Sequence, residues 1–240
     1  MQKDVQFQDL GKRSYKEVWD YQEALLKDNV QKKAAEETRA STINHLLFVE
    51  HQPVYTLGKS GYEENVLIGD EEMKERGIEY FHINRGGDIT FHGLGQLVGY
   101  PILDLDKFRT DLGWYLRSLE EAIILTMADY GLKGERSKGE TGVWLDPDIA
   151  GRERKICAMG IKCSRWVTMH GFAFNVNTDL SYFGYIVPCG IQNKQVTSLE
   201  KELGYEVDFE MVKQKVRNNF EKVFDAQLLI LNAQCLIPNS

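Results

Sequence analysis

"NRGGDITFHGLGQLVGYP", Asn84 to Pro101, is the stretch whose reading decides the fold. Gly93, Gly95 and Gly99 spell G-x-G-x-x-x-G, one residue away from a dinucleotide fingerprint. A phosphate loop of that kind must open a helix, because the helix amino terminus holds the pyrophosphate. Here the chain runs on into "LVGYPILDL", which reads as strand. The nucleotide-binding reading is therefore rejected, and no Walker loop replaces it. The glycines instead allow backbone N–H groups to come close to a ligand, with Arg85 supplying a fixed charge. The competing reading is a bulged hairpin that carries a structural arginine.

Outward from this stretch, both kinds of periodicity occur. Tyr15, Val18, Trp19, Gln22, Leu25 and Leu26 predict a helix over roughly residues 14–38. "NHLLFVEHQPVYTLGKSG" predicts two strands broken by Pro53, and "IEYFHINR" a strand that enters the glycine-rich turn. Leu112, Leu116, Leu119, Ile123 and Met127 form one helical stripe between Thr110 and Leu132, with Gly131 at its end. "TGVWL", "KICAMGIKCS" and "VTMHGFAFNV" read as strands, the last with Met169, Gly171, Ala173 and Asn175 on one side. Phe209 to Val223 is a helix that Asp208 can cap. Strands in the middle with helices between and after them give an α/β (α+β) class with a mixed β-sheet core and packed helices. The length suits one large domain or one domain with a small appendage, and a single domain over residues 1–240 is the expectation carried forward.

A net charge of −7 argues against general nucleic-acid binding. The amino end has charges throughout and no signal-like apolar core, and the longest apolar runs, such as "AIILTMA", are too short for a bilayer. The expectation is a cytoplasmic protein with no membrane partner. Its four cysteines, Cys157, Cys163, Cys189 and Cys235, form no C-x-x-C pair and have no histidine pattern beside them, so no metal site is expected.

Cys189 stands out because it lies between Pro188 and Gly190 in "YFGYIVPCGIQ". Proline fixes φ and glycine frees it, so the triplet reads as a turn that can hold a thiol at a strand end. A plain cysteine in a loop corner is the competing reading. A thiol nucleophile needs a partner that favours the thiolate, and His92, His170 and Lys155 are the candidates; residue type favours a histidine, because Cys–His pairs are the commoner solution, and spacing does not choose among them. Lys155 begins the apolar strand "ICAMGI", where a lysine can point into a cleft, whereas Arg152 and Lys162 read as a solvated face. Ala158, Gly160, Gly171 and Ala173 would leave room between strands for a slender apolar ligand.

Taken in order, "RGGDITFHGLGQLVGYPI", "RKICAMGIK", "TMHGFAFNV" and "IVPCGI" closely resemble the lipoyl(octanoyl) transferases. "EHQPVYTLG" and "VTSLEKELG" fit as well, and the resemblance spans about residues 45–205. It implies a biotin/lipoate-ligase-like catalytic fold and an acyltransferase. The octanoyl group would move from octanoyl-acyl carrier protein to a lysine of lipoyl domains, those of 2-oxoacid dehydrogenases and of the glycine cleavage H protein. Cys189 would be the nucleophile that carries the acyl thioester, and Lys155 the residue that tunes it. Arg85, Gly86, Gly87, Asp88, Ile89, Thr90, Phe91 and His92 would line the acyl site from one side. Ala158, Met159, Gly160, Gly171, Phe172 and Ala173 would line it from the other. Exchange of one thioester for another is nearly energy-neutral, so no ATP and no other cofactor is expected. One departure is Leu94, where the family pattern has proline. Two rival readings are an ATP-dependent lipoate or biotin ligase, which needs no cysteine, and a non-catalytic acyl-binding protein. An acidic carrier would need a local basic rim, with Arg152, Arg154 and Arg165 as the candidates.

Overall fold

The computed structural model describes residues 3–187 and 195–231. In chain order it contains β1 (Lys3–Arg13), α1 (Tyr15–Ala34), β2 (His45–His51), β3 (Val54–Leu57), α2 (Asp70–Glu75), β4 (Glu79–His82), β5 (Ile89–His92) and β6 (Gln96–Ile102). Then come α3 (Leu112–Ala128), β7 (Val143–Leu145), β8 (Arg154–Ser164), β9 (Val167–Asn175), β10 (Gln195–Val196), α4 (Leu199–Leu203), α5 (Phe209–Phe224) and β11 (Ala226–Ile230). The main sheet is mixed, in the order β10-β8-β9-β6-β2-β1-β11, with β7 also paired to β8. A second, three-stranded sheet has the order β4-β3-β5.

Most of the expected elements form, and two edges are new. Residues 3–13 read as a charged amino end in sequence, yet they form β1, which pairs in parallel with both β2 and β11. Val5 and Phe7 point into the core from one face of that strand. The first helix ends at Ala34, four residues short of expectation, after Ser14 caps its start by accepting from the Glu17 N–H. Asp208 caps α5 as expected, accepting from the N–H groups of Glu210 and Met211.

The helices cover the main sheet on both faces. One core joins α3 and α5 to Phe48, Leu97, Phe172 and Phe174. The other joins Val18 and Leu26 of α1 to Leu47, Val98, Tyr100 and Ala173. Adjacent residues of β9 thus serve opposite cores, as the two-residue period of a strand requires. The bulged-hairpin reading of residues 84–101 fails, because β5 belongs to the small sheet and β6 to the large one. The turn between them carries the chain from one sheet to the other. Its Gln96 N–H donates to Gly93 O at 3.3 Å, and Gly95 takes φ +73°. Leu94 occupies the second position of that turn, the place where proline is favoured when the third position has positive φ. No helix among the described residues is long and apolar enough to cross a membrane.

Candidate active site

A cleft opens between the two sheets, with β6, β8 and β9 on one side and β5 with the 85–88 turn on the other. It holds about 810 Å3 of empty space, open mouth included. Ala158, Met159, Gly160, Gly171 and Ala173 line it, as do Arg85, Gly87, Asp88, Ile89, Thr90 and His92. Tyr15 from the start of α1 and Val98 and Tyr100 from β6 complete its buried wall. Gly160 is needed for close approach: a Cβ there would stand 2.7 Å from Gly86 O and 3.1 Å from Arg85 Cδ.

Two of the expected lining residues lie off the cleft, and a third borders it with its ring turned away. Phe91 turns away from the cleft and stacks on Tyr182, at 4.7 Å between ring centroids, because neighbours on a strand face opposite ways. Gly86 does not border the cleft; its N–H donates to Ile161 O at 2.9 Å and is not available to an oxyanion. Phe172 borders the cleft but sends its ring into the core, edge-on to Phe48.

Arg85 is buried, and its guanidinium donates to Thr56 O at 2.6 Å, to Thr56 Oγ1 at 3.0 Å and to Gly86 O at 3.1 Å. It therefore pins the turn to β3 as well as lining the cleft. His92 is fixed by a chain of amides. Gln96 Nε2 donates to Phe91 O and to Asn175 Oδ1, which leaves Gln96 Oε1 to accept. The Nδ1 of His92, 2.9 Å from that oxygen, is therefore the protonated nitrogen of a neutral ring. Burial pushes its pKa down to about 3, and His51 nearby pushes the same way. His170 is likewise pushed down to about 3, first by burial and then by Arg85 and Lys162. Both histidines are thus neutral architectural parts of the wall at physiological pH. The chain continues from Asn175 Nδ2 to Thr197 O, and the Thr197 N–H donates to Lys155 O at 3.0 Å.

Lys155 does reach the cleft, as its place at the head of the apolar strand suggested. Its Nζ lies 4.5 Å from the centroid of the Trp144 ring and 4.0 Å from Glu140 Oε2. Cys189 lies outside the described residues. Of the described residues that flank it in sequence, Val196 lines this cleft. The Val187 N–H donates to Asn65 O, and β10 pairs Val196 with Lys155. Of the described cysteines, burial pushes the thiols of Cys157 and Cys163 up, so neither favours the thiolate.

The proposed basic rim is only partly there. Arg154 is committed to Glu202 and Asp146, which hold its guanidinium charged well above its ordinary range. Lys162 is partly exposed and paired with Glu23 at 2.9 Å. Arg152 is exposed, as that reading required. Sequence reasoning missed Tyr15, Thr56, Glu140, Trp144 and Asn175 as parts of the site. Two alternations would have added to the wall: Gln96, Val98 and Tyr100 along β6, and Asn175 on the strand face of Gly171 and Ala173.

The mixed sheet and the small sheet that flank this cleft have the fold of solved lipoate-protein ligases. A bi-partite lipoate protein ligase from Thermoplasma acidophilum has the same fold, with a TM-score of 0.67 at 16% identity over 97% of this chain and 88% of that one. The chain belongs to the lipoyl protein ligase A/B catalytic domain family, which matches residues 14–221. Within it, the chain is 57% identical over 232 residues to an octanoyltransferase of Christiangramia forsetii, covering 95% of this chain and 99% of the relative. It is 56% identical over 233 residues to an octanoyltransferase of Flavobacterium johnsoniae, covering 95% and 100%.

Proposed function

We propose a thioester relay through Cys189 as the chemistry of this cleft. The protein is an enzyme that transfers octanoyl groups in protein lipoylation, and lipoyl domains are its acceptors. The donor in this proposal is octanoyl-acyl carrier protein, and the acceptors are the lipoyl domains of 2-oxoacid dehydrogenases and the glycine cleavage H protein. The Cys189 thiolate attacks the carrier thioester, and the carrier thiolate leaves with a proton from the Lys155 ammonium. The target amine then attacks the Cys189 thioester and returns a proton to Lys155, and the thiolate leaves. The slot between Gly160, Gly171 and Ala173 takes the acyl chain, where each buried methylene contributes ~0.8 kcal/mol.

The observation that carries this reading is the placement of Lys155. It stands on the cleft, and its own strand pairs with the segment that follows Cys189 after six residues. An ATP-dependent ligase of the same fold would activate free octanoate. Supplying octanoyl-carrier protein without ATP, or octanoate with ATP, separates the two. Acylated lipoyl domain should form in the first mixture. Product in the second mixture alone would make the protein a ligase.

A further inference from the structure

Octanoyl transfer to a lysine leaves a proton without a home. An octanoyl thioester and a lysine ammonium give an amide, a free carrier thiol and one proton. In the relay proposed above, on which this inference rests, Lys155 gives one proton to the carrier thiolate and regains one from the attacking amine. The surplus is the proton that the target ammonium must lose before it can attack. It has to pass from the cleft to water once per turnover.

We infer that Glu140 is the outlet through which Lys155 passes this proton to water. Its Oε2 is 4.0 Å from Lys155 Nζ, and the two side chains are 20% and 16% exposed. Glu140 is thus close to the lysine and still touches water. The face of Trp144, 4.5 Å from Nζ, bounds the ammonium on another side. The loop that carries Glu140 is clamped from below. Glu120 of α3 is fully buried, and its Oε1 accepts the Gly142 N–H at 3.0 Å. Its Oε2 accepts from Arg117 at 2.6 Å and from Arg136 at 3.0 Å. A buried carboxylate held by two guanidinium groups is a rigid post, so the loop is fixed two residues from Glu140.

The sequence of transfers balances. Neutral Lys155, left after the carrier thiol departs, takes a proton from the target ammonium and passes it to the Glu140 carboxylate, which must close from 4.0 Å to hydrogen-bond distance to accept it. The Glu140 carboxyl releases it to water. Lys155 is then neutral again and takes the second proton as the amine attacks the thioester and the enzyme thiolate leaves.

The two half-reactions separate this role from a structural one. Intact mass follows acyl-enzyme formation from octanoyl-carrier protein, and then loss of the acyl group to an added lipoyl domain. Glu140→Gln and Glu140→Ala should form acyl-enzyme at near the wild-type rate but transfer roughly tenfold or more slowly at neutral pH. Their transfer should quicken as pH rises, because the amine then arrives already deprotonated. Formate or acetate should restore transfer in Glu140→Ala, and Glu140→Asp should keep much of it. Wild-type transfer in Glu140→Gln overturns the assignment. So does equal slowing of both steps with no recovery in formate, which is the mark of a merely structural residue. A wild-type enzyme that never carries the acyl group removes the relay itself, a result read from the same samples before any variant is compared.

Discussion

Acid should dismantle the cleft before it reaches most of the surface. His92 and His170 sit in its wall at 6% and 2% exposure, each with a pKa pushed down to about 3 by burial. In the unfolded chain both return to about 6.5. Between those values the unfolded state binds more protons than the folded one, so stability falls as pH falls. At pH 7 neither contributes. At pH 5 each unfolded histidine gains about 2 kcal/mol from protonation that its folded form cannot take, or about 4 kcal/mol for the pair. His45 and His51, both pushed down to about 4 by burial, act in the same direction over most of that window. A domain of ordinary stability, roughly 5–15 kcal/mol, cannot absorb such losses unnoticed. Thermal melts and denaturant midpoints from pH 7.5 to pH 4.5 are the assay. Substituting His170 isolates one member. Its φ of +62° is a conformation that asparagine tolerates, so His170→Asn keeps the backbone and removes the titration. The acid slope should flatten by about 1.4 kcal/mol per pH unit. A melting temperature that is flat between pH 7 and 5, or an unchanged slope in His170→Asn, refutes the reasoning.

Leu94→Pro should stabilise the protein by roughly 0.4–1 kcal/mol in denaturant titrations with turnover unchanged, because Leu94 holds the turn position proline prefers; a loss of stability would show that the turn has another shape. Ala173→Val fills the slot by about two carbons, so octanoyl transfer should fall roughly 15-fold while transfer of a six-carbon chain falls less. Competition between six- and eight-carbon donors measures this, and an unchanged preference places the chain elsewhere. Arg154→Glu breaks the ion pairs to Glu202 and Asp146 and should lower the melting temperature, whereas Arg152→Glu should leave it unchanged and raise the carrier KM. Equal melting temperatures for wild type and Arg154→Glu would contradict the paired state of that residue.

The strongly periodic elements were legible because each pattern had one physical cause. The stripe through Leu119, Ile123 and Met127 is a helix face against a sheet, and Gly171, Ala173 and Asn175 share a strand face. β1 was not legible, since "KDVQFQDLGKR" carries its apolar residues between charges and is a strand only through its partners β2 and β11. Those pairings join residues far apart in sequence, which no local pattern records. At the site, Lys155 was readable because a lysine opening an apolar strand is anomalous. Glu140 was not, because a glutamate in "SKGETG" looks like any solvated loop residue until the Glu120 clamp fixes its loop beside Lys155. The histidines misled in part, for Cys–His pairs are common chemistry, while burial keeps His92 and His170 neutral and hydrogen-bonded in the wall.

The relay stands or falls on where the acyl group rests between donor and acceptor. The direct measurement is peptide mapping of the protein after brief exposure to octanoyl-carrier protein without ATP and without acceptor. One octanoyl group should sit on the peptide that contains Cys189, disappear when a lipoyl domain is added, and be absent in Cys189→Ser. An octanoyl group on Cys157, Cys163 or Cys235, or full transfer by Cys189→Ser, would contradict the account.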